Sequence, residues 1–141
     1  DWARWRDEVF GFTFEPAVIV YNTEHLAESE APRTRAELID LLRTQPERFR
    51  GRIGTYDVRL SGIGYLFALA DLKQISSSYG RLLESMGRAR AVVRCCTSEI
   101  LDDVASGRLL IGYNMLGSYA YARIRAGSPL RIVLPLDSTL V

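Results

Sequence analysis

The sequence predicts an α/β fold: a three-layer α/β/α lobe on a five-stranded, mostly parallel sheet. Short β-branched apolar runs alternate with segments of helical periodicity along the whole chain. Cap and turn residues punctuate them at short spacing, with no internal repeat and no low-complexity tract. The length, 141 residues, suits one domain with a sizeable core.

Ala17-Val18-Ile19-Val20-Tyr21 is apolar and largely β-branched, as a buried strand should be, and ends at the turn-prone Asn22-Thr23. Thr34-Arg35-Ala36-Glu37 has the spacing of a capping box. Leu38, Leu41 and Leu42 then share one helical face, and Pro46 ends that helix. Arg52–Tyr56 reads as the second strand. A helix from Gly62 to about Lys73 follows, then another from Gln74 to Met86 closed by Gly87. Ala91–Arg94 is the third strand. Thr97-Ser98 caps a helix from Glu99 to Ser106 that stops at Gly107. Leu109–Tyr113 is the fourth strand and Ser118–Arg125 a helix ended by Gly127 and Pro129. Arg131–Leu134 is the fifth strand, halted by Pro135.

Composition narrows the function. Hydrophobic residues make up 48% and charged residues 25%, which excludes a disordered chain, a coiled coil and a disulfide-dense miniprotein. The apolar run Tyr65–Ala70 is too short to span a bilayer. A net charge of +1 gives no field for nucleic acid, which is not expected as a partner. Lys73 is the only lysine against seventeen arginines, a bias that matters only where an arginine is placed to fork an anion. The single histidine, His25, sits in a polar loop and reads as a solvated side chain. Cys95 and Cys96 are adjacent, where a bridge would strain the peptide between them, so they read as two thiols. The chain begins at Asp1 with neither Met nor a signal segment and reads as a processed piece.

In open parallel sheets, ligands bind beyond the carboxyl ends of the strands. That rule selects Asn22, Arg59, Ser61, Gly62, Thr97, Asn114 and Tyr119 as ligand-binding candidates. Asp57–Gly64 lies between a strand and a helix, where free N–H groups and the helix dipole favour an anion. Ser61 adds a hydroxyl and Arg59 a positive charge, while the competing reading is a capped turn with Ser61 as N-cap. The segment lacks the lysine and the spacing of a nucleotide-binding P-loop. Tyr119 and Tyr121 fall on different faces of their helix, so one should reach a cleft and the other the core. Thr97 reads mainly as a cap. No nucleophile–base pattern is present, so an enzyme is not expected.

Three stretches together resemble a family. Gly11–Thr23 is similar to the crossover segment of type II periplasmic solute-binding proteins. Ile53–Asp57 through Ser61–Tyr65 looks like their anion loop, and Ile100–Gly107 with Ile111–Asn114 like their next helix and strand. The resemblance implies the second lobe of a two-lobed binding protein: residues 1–16 as the incoming crossover, 17–131 as the lobe and 132–141 as the outgoing crossover. It implies a small anionic or polar solute, an ABC permease as partner and an extracytoplasmic location. The same fold serves as the sensor domain of receptor histidine kinases, which implies a signalling partner instead, and as an effector domain of transcription regulators. Gly117–Tyr121 matches the place where ferric-ion-binding members put ligand tyrosines. Tyr119 is therefore the one metal-ligand candidate, for Fe(III), although Ala120 stands where a second tyrosine would. No other cofactor is expected. A face left by the missing lobe would favour a homodimer.

Overall fold

The computed structural model describes residues 4–6, 9–10 and 15–137. The resembling stretch 11–14 and the end of the outgoing segment, 138–141, lie outside the described residues. The elements, in order, are strands β1 (Arg4–Trp5), β2 (Val9–Phe10) and β3 (Ala17–Asn22), then helices α1 (Arg35–Thr44) and α2 (Pro46–Phe49). Strand β4 (Ile53–Tyr56), α3 (Gly62–Gln74), α4 (Ser76–Arg88), β5 (Val92–Arg94) and α5 (Thr97–Ala105) follow. The chain closes with β6 (Ile111–Leu116), α6 (Gly117–Arg125) and β7 (Leu130–Val133). Strands β1 and β2 form a small antiparallel pair, and the other five form one sheet of order β5-β4-β6-β3-β7.

The sheet is the expected five-stranded one, and four of its strands share a direction. Strand β4 pairs parallel with β5 and β6, while β3 is antiparallel to both β6 and β7. Strand β3 therefore runs alone against the rest. Its alternation separates two cores. Ile19 and Tyr21 face α1 and α4, with Leu38, Leu42, Leu82 and Met86. Val18 and Val20 face α5 and α6, with Ile100, Leu101, Val104 and Ala120. Phe67 of α3 packs on Tyr56, ring centroids 6.2 Å apart, and so joins the second core.

Helix ends explain most boundaries. Thr34 accepts from the Glu37 amide at 3.0 Å, as its position in the capping box requires. The Glu37 carboxylate reaches one residue further back, to the Arg33 amide at 2.7 Å. Pro46 ends α1 and opens α2 at the position where its missing N–H costs nothing. Gly107 takes a left-handed φ of 75° after α5, as expected.

Three expectations fail. Gly87 lies inside α4 rather than ending it. The helix runs one residue further, to Arg88, and is closed through Arg90, at φ 52°, with the Ala91 amide bonded to the Met86 carbonyl at 2.9 Å. That closure is a Schellman-type end without glycine. Arg90→Gly is accordingly expected to raise stability by up to about 1 kcal/mol, read in urea unfolding. Thr97 is the first residue of α5 and not its cap; Cys96 holds that place without a side-chain bond. Strand β6 runs on through Asn114 to Leu116, because a bulge extends it.

The bulge positions part of the interior. Val18 pairs with Met115 and Val20 with Gly112, so Tyr113 and Asn114 together oppose Ile19. Asn114 takes φ 60° to accommodate the extra residue. Consecutive strand residues ordinarily point to opposite faces, but here both reach Asp71 of α3. Tyr113 donates to it at 2.7 Å and Asn114 at 2.8 Å. Arg35 completes the cluster, its Nη2 2.8 Å from the Asp71 carboxylate, with both side chains 1% exposed. Burial, and then the charge of Asp71, pushes the Tyr113 hydroxyl upward, so it remains a proton donor. Arg35 also pairs with Asp137 at 3.1 Å, and the Leu136 amide bonds the Arg33 carbonyl at 2.8 Å. The segment leaving β7 is thereby fastened to α1.

Candidate functional site

Strands β4, β5 and β6 point the same way, and each runs into a helix at one rim of the sheet. The first turns of α3, α5 and α6 share that rim. Strand β3 enters there, because it runs the other way, and this brings Glu15 and Pro16 to the same place. The Gly117 amide bonds the Pro16 carbonyl at 3.0 Å.

The three helix starts differ. At α6, Glu15 accepts from the Ser118 amide at 2.8 Å and from its hydroxyl at 2.5 Å. A carboxylate of the chain itself fills that positive end. At α3, Ser61 is the N-cap, its hydroxyl accepting from the Gly64 amide at 3.1 Å. The Tyr65 amide is taken by the Ser61 carbonyl at 2.9 Å. The first two amides, those of Gly62 and Ile63, precede any intrahelical partner and belong to exposed residues. They are open donors of this rim, as are the Ser98 and Glu99 amides at the start of α5, which has no side-chain cap. At α5, the Thr97 hydroxyl meets the Tyr56 hydroxyl at 2.5 Å in a buried contact. Burial pushes the Tyr56 hydroxyl up, while Glu15 and Tyr119 are close enough to add to the shift.

Arg59 stands beside the open amides with its side chain 81% exposed, but it is engaged. Its guanidinium forks onto Asp57, at 2.9 and 2.6 Å. The bonds from Arg59 hold the Asp57 carboxyl down at about 2. The ordinary value is 3.8. The carboxyl is thus depressed in the folded state, and the pair's contribution is present above the ordinary value and lost as pH falls toward 2. In Arg59→Ala the Asp57 titration is expected to move up toward 3.8, followed by carboxyl NMR.

Ser61, Gly62, Arg59, Thr97 and Tyr119 therefore come together at one rim. Asn22 does not. Because β3 runs against its neighbours, Asn22 ends up where the parallel strands begin, paired with Leu130. Its amide group donates to the Val104 carbonyl at 2.7 Å, closing the end of α5. Asn114 lies below the rim within the Asp71 cluster, 4% exposed. Tyr119 and Tyr121 are both exposed, at 53% and 58%, so neither enters the core; Ala120 between them is fully buried. His25 is exposed, as expected, and lies over Gly107.

Cys95 and Cys96 are joined in a disulfide rather than left as thiols. The trans peptide between them tolerates the ring at the junction where β5 turns into α5. Glu15, whose carboxylate occupies the start of α6, is the rim residue that sequence reasoning misses. Its signal is slight: an acidic residue before Pro16, which fixes it in extended backbone.

The sheet order, the flanking helices and the single rim make this the periplasmic-binding-protein fold, as one lobe. Over 98% of its length the chain is similar to the substrate-binding protein of an ABC transporter from Agrobacterium tumefaciens, with 40% identity and a TM-score of 0.91. The chain spans 40% of that protein. It is also similar to a two-component system protein that mediates signal transduction, at 24% identity and a TM-score of 0.76, over 99% of this chain and 44% of that one. Iron-bound HitA from Pseudomonas aeruginosa shares the fold at 18% identity and a TM-score of 0.64, over 88% of this chain and 38% of that one. No family model and no curated protein matches the chain. Among the described residues, no helix is long and apolar enough to cross a membrane.

Proposed function

We propose that this chain is the second lobe of an extracytoplasmic solute-binding protein of an ABC importer, and that it holds a small anionic solute at the first turn of α3. Residues 17–131 form the lobe, and 1–16 and 132–141 the crossovers. The carrying observation is that the Gly62 and Ile63 amides, both of exposed residues and with Arg59 beside them, are open at the start of α3, in a chain 40% identical to an ABC substrate-binding protein. A disulfide beside the rim suits an oxidising compartment. Ser61 and Thr97 shape the turn, and Arg59 adds attraction reduced by Asp57. Tyr119, exposed on α6, is the residue a ferric chelate would meet. Sensing would use the same binding step, since a signal-transduction protein shares the fold; a membrane helix and kinase core after this lobe would assign it there.

Thermal unfolding against phosphate, sulfate, citrate, ferric citrate, dicarboxylates and amino acids tests the reading. A bound solute at one hundred times its Kd adds about 2.7 kcal/mol. Gly62→Pro is the decisive variant. Proline is accepted at the first helical position, and Ser61 already has extended backbone, so α3 stays intact while one donor disappears. A hydrogen bond to a charged group contributes about 1.5–3 kcal/mol, so affinity is expected to fall by roughly ten- to a hundredfold. If no solute shifts the transition, or if Gly62→Pro binds as tightly as the parent, the anion site at α3 is wrong. A shift abolished by Tyr119→Phe and not by Gly62→Pro would move the site to α6 and favour ferric iron.

A further inference from the structure

We propose that Cys95, Cys96 and Glu99 form a redox-gated site for a thiophilic d10 divalent cation, closed while the two sulfurs are bonded and opened by a dithiol reductant. The two sulfurs and a Glu99 carboxylate oxygen lie within 4.8 Å of one another, with Cys96 and Glu99 exposed and Cys95 half-buried. The Glu99 Oε2 sits 3.6 Å from the Cys95 sulfur. With the sulfurs bonded, no thiol hydrogen is available, so this contact is van der Waals.

Stability does not explain the bridge. A disulfide stabilises chiefly by closing a long loop in the unfolded chain, and here the sequence separation is 1. A reductant reaches the exposed Cys96 sulfur directly. The step balances simply. A dithiol supplies two electrons and two protons, the S–S bond breaks, two thiols form, and the reductant leaves as its own disulfide. Metal binding then releases both protons, since the thiolate is the ligand. Both sulfurs stand at the start of α5, where the helix favours a thiolate.

Two thiolates and a carboxylate are a donor set for Zn2+ or Cd2+, with water at the remaining position. Such donors sit about 3.8 Å apart around a tetrahedral ion; the Glu99 oxygen already stands 3.6 Å from the Cys95 sulfur, and opening the bridge lets the two sulfurs separate to that span. Glu99 is available for the task. It lines a shallow depression with Arg94, Asp102, Asp103 and Arg108, but both arginines there are paired with Asp103, at 3.4 and 2.5 Å. Among the described residues Glu99 forms no ion pair. The site stands on different residues from the α3 turn, so either proposal survives the loss of the other.

The test begins with thiol counting in the folded protein. No thiol is expected to react before reduction, and two after treatment with a phosphine and desalting. Cd2+ added to the reduced protein is expected to give a thiolate charge-transfer band that saturates at one ion per chain. The oxidised protein gives none. Cys95→Ser and Cys96→Ser each remove the band, and Glu99→Gln weakens Zn2+ binding at least about tenfold. Cys96→Ser and Glu99→Gln, both at exposed positions, leave thermal unfolding of the metal-free reduced protein unchanged. Reactive thiols before reduction, no band after it, or unaltered Zn2+ affinity in Glu99→Gln would each overturn the proposal.

Discussion

Asp71→Ala is expected to destabilise the protein by about 3–5 kcal/mol, the cost of removing one partner from a buried ion pair. Arg35 is 1% exposed and would keep its charge with no buried counter-ion on the α3 side. Tyr113 and Asn114 would lose their acceptor as well, leaving two buried donors unpaired. Asp137→Ala removes a second carboxylate from Arg35, but that carboxylate is 28% exposed and Asp71 remains, so a loss of about 1 kcal/mol is expected. A double change, Arg35→Met with Asp71→Leu, deletes both charges together and should recover most of the loss. Urea unfolding of the variants measures this. Asp71→Ala costing less than 1 kcal/mol, or a double variant worse than the single, would show that the ion pair does not hold α1, α3 and β6 together.

The fold was legible because local signals agreed with one another. The β-branched run at Ala17–Tyr21, the Thr34 cap and Gly107 each marked an element that exists, through side-chain stiffness, capping and a left-handed turn. The direction of β3 was not legible, since hydrophobic pattern is the same for a strand run either way. That one fact moved Asn22 to the wrong end of the sheet and brought Glu15 to the right one. The bulge was equally silent: nothing local requires Asn114 to turn left-handed, and only its pairing with Ile19 does. Asp71 could have been found. It falls on the same helical face as Gly64 and Phe67, and a carboxylate on a buried stripe demands a partner. Which partner is a tertiary fact, since Arg35 is 36 residues away. The disulfide was misjudged because general geometry disfavours adjacent cysteines, whereas here the junction of β5 and α5 accepts the ring.

Gly64→Ala carries the second large expected effect, because this glycine sets the distance between the first turn of α3 and the sheet. A Cβ at Gly64 would collide with the Cβ of Tyr56 and lie 2.8 Å from its Cγ and 3.2 Å from the Ser61 Cβ. The first two are near-backbone atoms of a buried strand residue and cannot swing aside. The Tyr56 hydroxyl is further held at Thr97. Relief must come from α3 moving off β4, at a cost of about 1–3 kcal/mol. Gly80→Ala is the control. It lies inside α4 with nothing within 4 Å of its would-be Cβ, so the same added methyl should stabilise by about 0.5–1 kcal/mol through helix propensity. Opposite signs for one chemical change would assign the Gly64 loss to the contact with Tyr56 rather than to alanine itself. The displacement also carries the Gly62 and Ile63 amides away from the rim. Whichever solute raises the melting temperature of the parent should therefore bind Gly64→Ala more weakly at a temperature where that variant is still folded, while Gly80→Ala binds as the parent does. Equal affinity in both would mean that the solute does not sit at the start of α3.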